Sequence, residues 1–502
     1  MKPVLSSISR SQRAFCPGIC LNKYRRIPLS VFLPNTRRNL ETRASISNRL
    51  SAQNDLPLAG IRVLELGQLI AGPFAGQLLG QFGAEIIKVE SPKKGDPLRV
   101  WRELDVDGCS PWFRSIGRNK KSVAIDLHTP GGRELVRKLA LRSDVLIENF
   151  KPGTLEKWYL DPASIHPHNP DLIYTRVSGY GQTGPWASRP GFASVCEAES
   201  GFRFINGFPD PETGGLNGPP VRPNISLGDS VAGLHAAFGT VLALLQRQKK
   251  KANGQAGGTT VDVSILESML NLMEGIIPTY DRLGAVRGPS GSSVTGIVPT
   301  NAYPCLPSPS SSSTSPTPTY IVIGANTDSL YTRLMHLIGA PHLTTPLSSE
   351  YLHNHHRVKH QAVIEKAITD WTSSRSVDEV ERKLREAGVP VGRVVSVREI
   401  VDGGAEREGE RMGGVGEQLK ARGAVREVWV PHANAKSDGK NESANGWALK
   451  MPSTFPILEG VDPAPRWAGP DLGTHTDEVL MGELLGLKKE EVRRFREEGI
   501  VG

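Results

Sequence analysis

The carboxylates of two short stretches are the residues best suited to chemistry. Glu197 and Glu199 stand in "VCEAESG", and Asp229 stands in "SLGDSVAG". The neighbours of Glu197 are apolar enough to predict partial burial, and the stretch holds no evident basic partner. A partly buried, unpaired carboxylate is a candidate for nucleophilic or acid–base chemistry. Asp229 stands near the start of a long apolar segment, where a carboxylate also suits a helix N-terminus.

The motifs of several other enzyme classes are missing from the sequence. The first predicted strand is followed by "GQLIAG" rather than a GxGxxG turn, and the sequence holds no GxxxxGK[ST], GxSxG or HExxH. The five cysteines show no metal-ligand spacing. We therefore expect no metal site and no permanently bound cofactor, and free thiols in a reducing compartment.

The segments that must position the carboxylates alternate between strands and helices. A buried strand is predicted at Ile61 to Leu66 and a closely packed helix at Ala71 to Ala84. Further strands are predicted in "EIIKVES", "SVAIDL", "VLIENF" and "DLIYTRVSGYG", with a helix in "GGRELVRKLALRSD". This alternation predicts an α/β fold with an open parallel sheet and right-handed crossovers.

The distribution of charge separates a leader from the body of the chain. The 502-residue sequence has a formal net charge of +8, but ten of its 60 basic residues and only one acid, Glu41, lie in residues 1–50. The nearly neutral body argues against nucleic acid as a partner, and no apolar run approaches the ~20 residues of a membrane span. A leader rich in Arg and Ser is typical of a mitochondrial transit peptide, so we expect the mitochondrial matrix.

Seven strings, in order along the chain, resemble class III coenzyme A (CoA) transferases of the CaiB/BaiF type. That family also contains α-methylacyl-CoA racemase. The likeness is greatest to mitochondrial transferases that use succinyl-CoA and act on dicarboxylates such as hydroxymethylglutarate. The strings are "LAGIRVLELGQLIAGPFAGQLLGQFGAEIIKVESPKKGDPLR", "GRNKKSVAIDL", "DVLIENFKPGTLEKW", "NPDLIYTRVSGYGQTGPW", "RPGF", "ISLGDSVAGLHA" and "PDLGTHTDEVL".

The resemblance implies a fold of two domains in an interlocked homodimer. A large Rossmann-like, CoA-binding domain would comprise residues 56–255 and 435–502, after a leader at 1–55. A smaller α+β domain would comprise residues 256–434. Two insertions are expected within this plan, a disordered one at 305–319 and a polar one at 431–446.

The resemblance also implies where acyl-CoA, the expected substrate, would bind. Leu69 and Ile70 match positions that line the coenzyme in relatives, and Lys157 matches a basic residue after "NFxPG". Basic residues in the matching strings are weaker candidates for its phosphates, since any of them could be ordinary surface. They are Lys88, Lys93, Arg99, Lys120 and Lys121.

The chemistry of the family requires a carboxylate at a position where this chain has alanine. The resemblance implies a motif of Gly, then an aromatic residue or His, then the Asp nucleophile. This chain has Gly191, Phe192 and Ala193 at these three positions. A methyl group cannot attack a thioester. Glu197, one helical turn on, is the first replacement considered, and Asp229 is another. The third account is a non-catalytic CoA-binding protein.

The interpretation favoured by the sequence is a CoA-transferase that passes CoA from a donor such as succinyl-CoA to a dicarboxylic acid. Transfer would proceed through a carboxylate-bound acyl and CoA intermediate, with Glu197 as the nucleophile, while a helix-start or supporting role suits Asp229 better than attack. The alternatives are a racemase-like epimerase, which needs an acid and a base flanking the α-carbon, and the non-catalytic CoA-binding protein.

Overall fold

The computed structural model describes most of the chain after the leader. It covers residues 56–308, 319–344, 350–402, 414–431, 446–453, 455–462 and 464–502. The predicted transit peptide at 1–55 lies outside the described residues, and so do residues 309–318 of the predicted disordered insertion at 305–319 and residues 432–445 of the predicted polar insertion at 431–446. The ends of both insertions are described and belong to strands, at Cys305, Thr319, Pro431 and Gly446, so the expected disorder does not extend over the whole of 305–319.

A six-stranded parallel sheet in the order β3-β2-β1-β4-β5-β6 forms the centre of the fold. This is the strand order of a doubly wound Rossmann-like sheet. The predicted open α/β sheet is thus confirmed. The strands are β1 Arg62–Glu65, β2 Glu85–Glu90, β3 Lys120–Ala124, β4 Val145–Glu148, β5 Ile173–Ser178 and β6 Thr259–Ser264.

Helices cover both faces of this sheet. They are α1 Ala71–Gln81, α2 Pro111–Ile116, α3 Pro130–Ala140, α4 Thr154–Lys157, α5 Pro162–Ile165, α6 Ala193–Glu199, α7 Leu227–Ala252, α8 Ile265–Asn271 and α9 Ile276–Leu283, with a 3-10 helix at Pro97–Val100. Successive strand residues point to opposite faces, so Val63 packs into the core on the α1 and α7 side, and Leu64 packs into the core on the α3 side.

The long helix α7 packs closely on α1. A Cβ added at Gly233 would lie 2.7 Å from the carbonyl oxygen of Ala71 and 3.1 Å from Phe74, so only glycine permits this approach. By length and composition α7 could cross a membrane, a test that core helices of soluble proteins also pass. One side of α7 belongs to the core of the sheet domain, through residues such as Ala232, Ala236 and Ala243.

A second, smaller part of the chain is built on antiparallel strands. The strands β7 Thr300–Cys305, β8 Thr319–Gly324 and β9 Val391–Arg393 form one sheet, and β10 Val425–Pro431 pairs with β11 Gly446–Pro452. The helices are α10 Asp328–Leu337, α11 Asn354–Arg357, α12 Gln361–Ser373, α13 Val377–Glu386, α14 Val397–Asp402 and α15 Val415–Ala421, with 3-10 helices at Pro341–Leu343 and Val358–His360.

The C-terminal helices α16 Thr476–Met481 and α17 Lys489–Glu497 return to the large sheet, where the Thr476 hydroxyl accepts a hydrogen bond from the Ala124 N–H at 3.0 Å. Two predicted domain boundaries need correction. Residue 255 is too early, because β6 and α8 follow it and belong to the large domain. The boundary between 434 and 435 separates β10 from β11, which are paired strands.

Gly76 on α1 leaves room for the buried carboxylate of Glu65 at the end of β1. Glu65 Oε2 accepts a hydrogen bond from Lys120 Nζ at 2.8 Å, and Oε1 accepts one from Lys88 Nζ at 3.2 Å. All three charged side chains are almost completely buried. A Cβ on residue 76 would lie 1.9 Å from Glu65 Oε2, so any larger residue must displace this carboxylate.

Gly76→Ala is expected to lower the free energy of unfolding by about 2–4 kcal/mol, because displacing Glu65 leaves buried lysine charges poorly paired. This destabilisation is opposite in sign to the gain in stability of ~1 kcal/mol that Gly→Ala ordinarily gives inside a helix. Urea denaturation followed by circular dichroism would measure it. A variant as stable as the wild type would show that Glu65 can move away from the lysines at little cost.

Candidate functional site

A cavity of about 820 Å³ opens at the carboxyl ends of the sheet strands. It is lined by the segments that follow β1 and β4, by the end of β5 and by the first residue of α8 after β6. Such a position, where the chain leaves neighbouring strands in opposite directions, is where doubly wound sheets bind ligands. The lining includes Gln68–Ala71, Trp101, Asn149–Pro152, Val177–Gly179, Arg189–Ser194, Arg222, Ser226, Asp229 and Ile265.

The turn after β1 is held in a strained conformation by two side chains. Leu69 has φ 62°, which is rare for a residue other than glycine, and its N–H donates to Asp96 Oδ1 at 3.1 Å. Asn149 after β4 forms a reciprocal pair with Gln68, accepting from its N–H and donating to its carbonyl, each at 2.8 Å. These bonds fix one wall of the cavity, which includes Leu69 and Ile70, and the contact of these two residues with the coenzyme stays a prediction.

Ala193 lies in the cavity wall at the start of α6. It is 7% exposed and follows Gly191 and Phe192, which also line the cavity. Gly191 packs closely against the aromatic ring of Tyr180. A Cβ at this residue would lie only 2.6 Å from Tyr180 Cε2. The glycine thus allows the loop to run against the end of β5, and the next side chains face the cavity.

Glu197 lies on α6, as predicted, but it is fully engaged in the protein interior. Its Oε2 accepts hydrogen bonds from Arg203 Nε at 2.9 Å and Nη2 at 2.6 Å, and its Oε1 accepts one from the N–H of Gly228 at 3.1 Å. The side chain is 1% exposed and is not part of the cavity lining. The expectation that Glu197 lacks a partner is therefore wrong, because a basic residue six positions further on folds back to it.

Asp229 lines the cavity from the first turn of α7. Burial raises its pKa to about 6, with a further contribution from the negative charge of Glu197 and an opposing one from Arg222. Glu199 accepts a hydrogen bond from the Tyr180 hydroxyl at 2.5 Å and pairs with Arg189 at 2.8 Å. Asp229 is therefore the carboxylate that borders the cavity next to Ala193.

Metal chemistry finds no support in the part of the chain that the structure describes. No group of three or more His, Cys, Asp or Glu side chains there could hold a metal ion. The thiol of Cys196 is buried beneath the cavity wall and donates to the carbonyl of Gly179 at 3.3 Å, and burial raises its pKa to about 11. It is therefore protonated at neutral pH, which makes it a poor nucleophile.

The sequence matches the model of CoA-transferase family III over residues 58–476. The chain belongs to this family. It is 38% identical over 447 residues to the succinyl-CoA–D-citramalate CoA-transferase of Chloroflexus aurantiacus. The aligned region covers 89% of this chain and 98% of that protein. It is 33% identical over 350 residues to the mouse succinyl-CoA:glutarate CoA-transferase, covering 68% and 73% respectively.

Solved structures agree with this assignment. A CAIB/BAIF family protein from Brucella suis superimposes with a TM-score of 0.67 at 27% identity, covering 86% of this chain and 99% of that one. The family III fold and the resemblance seen in the sequence are thus confirmed. The chain is an enzyme with CoA-transferase activity, and its substrates are CoA thioesters.

The predicted basic residues of this family III site have different surroundings. Arg99 is buried and donates to both carboxylate oxygens of Glu90 at 2.8 Å, and Lys121 pairs with Glu85 and Glu478. Neither lines the cavity, and the same holds for the exposed Lys93 and Lys157. Direct contacts from these four residues to the coenzyme stay predictions. Arg99 and Lys121 are the weaker two candidates, because each is already paired with carboxylates of the protein.

Several polar residues of the cavity were missed in the sequence, among them Asn149, Lys151 and Arg189. Asn149 and Lys151 stand in "ENFKPG", one of the strings that carry the family resemblance, so a signal for them was present. Arg189 lies in the lining as well, stacked over Trp186 with 4.7 Å between its guanidinium carbon and the ring centroid. Its role could not be inferred, because the loop that brings it to the cavity has no regular pattern.

Proposed function

We propose that this enzyme transfers CoA from succinyl-CoA to a second dicarboxylic acid, with Asp229 as the attacking carboxylate. The observation that carries the proposal is that Asp229 borders the same cavity as Ala193, the position where the family's nucleophile is expected. The relatives support the donor, since their names specify succinyl-CoA together with citramalate, malate or glutarate.

The reaction balances with one carboxylate and no cofactor. An oxygen of Asp229 attacks the thioester carbonyl of succinyl-CoA, the C–S bond breaks and CoA thiolate leaves a mixed anhydride. The thiolate then attacks the Asp229 carbonyl, which releases succinate and leaves an aspartyl-CoA thioester. The acceptor carboxylate displaces the thiolate from this thioester, and the thiolate attacks the acceptor's carbonyl, which frees Asp229 and completes the transfer.

The environment of Asp229 suits this role. With a pKa of about 6, the carboxylate is mostly ionised at neutral pH and is more basic than an ordinary aspartate. A more basic carboxylate is a stronger nucleophile, because nucleophilicity and basicity rise together. The wall around it is mainly apolar, with Ile70, Phe192 and Ile265, so water that would hydrolyse an anhydride is partly excluded.

The direct test is a transfer assay with the full chain. Succinyl-CoA is incubated with glutarate, malate, citramalate or hydroxymethylglutarate, and the CoA thioesters are separated by liquid chromatography. We expect one new thioester per succinate released, with no net loss of thioester. Exchange of the α-proton for deuterium on an unchanged carrier would instead identify an epimerase.

CoA binding without transfer is the outcome that would contradict the proposal, because Ala193 stands where the family's nucleophile is expected. On this account the cavity binds an acyl-CoA, but no carboxylate attacks it. Calorimetry that shows tight binding of succinyl-CoA, together with no thioester formed from any acceptor, would establish this function and exclude transfer.

Arg222 is suited to bind the distal carboxylate of the substrate. Its Nε donates to the carbonyl of Pro223 at 3.2 Å and its Nη2 to that of Ile225 at 2.8 Å, which orients the guanidinium without neutralising it. Arg222 lines the cavity together with Asp229, so a two-ended acid could place one carboxylate at each residue. A guanidinium binds a carboxylate through two parallel hydrogen bonds, which a lysine cannot reproduce.

Arg222→Gln is expected to lower the preference for glutarate over pentanoate by about 10- to 100-fold, the effect of losing one charge-assisted contact. The two acceptors compete in one reaction with the same donor, so effects on succinyl-CoA cancel in the ratio. Arg222→Lys should retain part of the preference. An unchanged ratio in both variants would exclude Arg222 from acceptor recognition.

The enzyme is proposed to act as the interlocked homodimer that the family resemblance implies. In support, α7 exposes an apolar stripe at helical spacing, formed by Leu234, Phe238, Leu242 and Leu245, each 49–61% exposed. Sedimentation equilibrium should give twice the chain mass, and a monomer at micromolar concentration would contradict the proposal.

The proposed location is the mitochondrial matrix. The proposal rests on the Arg- and Ser-rich composition of residues 1–50 with their single acid. A fluorescent protein fused behind residues 1–55 should accumulate in mitochondria, and a cytosolic fusion would contradict this location.

A further inference from the structure

Glu197 connects the helix that carries Ala193 to the helix that carries Asp229. Its Oε1 accepts the N–H of Gly228, in the first turn of α7, at 3.1 Å. Its Oε2 is held by two donors of Arg203, so the carboxylate cannot rotate away without leaving a partly buried guanidinium unpaired. The contact therefore fixes the residue that directly precedes Asp229.

The packing around Gly228 makes this connection tight. A Cβ at residue 228 would lie 3.2 Å from Ala193 Cβ, 3.3 Å from Glu197 Cγ and 3.2 Å from Ile265 Cγ2. The backbone before Asp229 thus rests against the alanine on one side and the glutamate on the other. Since Gly228 has no side chain, the start of α7 can approach α6 closely enough for the Glu197 hydrogen bond.

Few charged groups surround Asp229, and Glu197 is one of them. Glu197 acts on it from α6 and Arg222 acts from the loop before α7, while α8 presents the apolar Ile265. The Cys196 thiol on α6 also lies within the field of Asp229. The ion pair with Arg203, at 2.6 Å, holds the Glu197 carboxylate in the position from which it acts on Asp229.

We propose that Glu197 is a positioning residue, which anchors the first turn of α7 so that Asp229 faces the cavity beside Ala193 and which presents its charge to the Asp229 carboxylate. The proposal rests on the proposed function of Asp229. It gives the glutamate a role other than nucleophile, because its oxygens are already occupied and lie outside the cavity lining.

Glu197→Gln removes the charge and leaves one acceptor oxygen, so the variant can keep the hydrogen bonds from either Gly228 or Arg203 but not both. We expect kcat at pH 8 to fall by about 2- to 10-fold through the lost hydrogen bond, while the acid limb of kcat/KM moves to lower pH by about half a unit or more. Glu267→Gln is the matched control, because Glu267 is an exposed residue on α8 and the same charge is removed. It should leave the pH profile unchanged.

Two outcomes would overturn the proposal. An E197Q enzyme that is less stable but has an unmoved acid limb would show a merely structural role. An E197Q enzyme that neither transfers CoA nor becomes covalently labelled by succinyl-CoA, while D229N does both, would make Glu197 the nucleophile. If E197Q alone does not fold, the double variant E197Q/R203Q removes the whole buried pair and should shift the limb in the same direction.

A readout without turnover separates this proposal from the proposed function. The stability gained by Asp229→Asn is measured against pH in the wild-type and E197Q backgrounds, since this gain reports the ionisation of Asp229 directly. In both backgrounds the gain should begin near the unfolded pKa of 3.8, but in the E197Q background it should be smaller and should level off at a lower pH. Identical curves would overturn the positioning role, whether or not the enzyme transfers CoA.

Discussion

Asp229→Asn is expected to lower kcat for CoA transfer by at least about 10³-fold, because the amide cannot attack a thioester. Binding of succinyl-CoA should change little, since the substitution keeps the size of the side chain and the cavity wall. Initial rates and calorimetric binding constants of the two proteins would measure both effects.

The pH dependence of the wild type follows from the same residue. The attacking form is the carboxylate, so kcat/KM should fall about tenfold per pH unit below pH 6 and be level above it. The folded pKa is raised above the unfolded value of 3.8, so the stability that Asp229 contributes is complete below pH 3.8 and is lost as the pH rises through about 6.

Asp229→Asn should therefore stabilise the protein by about 1–3 kcal/mol at pH 7 and not at all near pH 3.8. A variant that loses activity and gains stability is the signature of a strained catalytic group. Intact-protein mass spectrometry after quenching with hydroxylamine provides the control, with a modification expected at Asp229 of the wild type. Full activity of D229N would exclude Asp229 as the nucleophile.

Ala193→Asp is expected to restore activity to the Asp229→Asn enzyme, recovering at least about 10²-fold of the lost kcat. The substitution re-creates the Gly, aromatic, Asp order of the family at a position that lines the cavity. The Cβ of residue 193 lies beside Gly228 at the start of α7. The new carboxylate group of the A193D variant would therefore lie close to the position of the Asp229 carboxylate that D229N removes.

Ala193→Asn in the same background is the matched control and should recover nothing. In an otherwise wild-type enzyme, Ala193→Asp should move the acid limb to higher pH, because two neighbouring carboxylates disfavour each other's ionisation. No recovery in the A193D/D229N enzyme, although it folds and binds succinyl-CoA, would show that the cavity wall at residue 193 does not face the thioester.

The sheet and its order of elements could be predicted from local patterns. Apolar runs such as that at Ile61 to Leu66 read as buried strands, and their alternation with helices predicts a parallel sheet. The observed strand and helix lie at Arg62–Glu65 and Ala71–Gln81, inside the predicted ranges. Strand periodicity depends on neighbours in sequence, so these elements needed no knowledge of distant contacts.

The domain boundaries could not be predicted in the same way. β6 and α8 follow a polar connector that suggests a boundary, yet they join the large domain. The pairing of β6 with β5 places these elements in the large domain, and this pairing cannot be read from the residues of β6 alone.

The sequence by itself determined the family, the parallel sheet and the absence of a carboxylate at residue 193, because each depends on residue types in a fixed order. Only the tertiary structure distinguishes the surroundings of Glu197 from those of Asp229. Both are acids in apolar stretches, but Arg203 folds back onto Glu197, whereas Asp229 faces the cavity. The physical reason is that a carboxylate's reactivity depends on its partners and its burial, and these come from residues that meet only when α6, α7 and the sheet pack together.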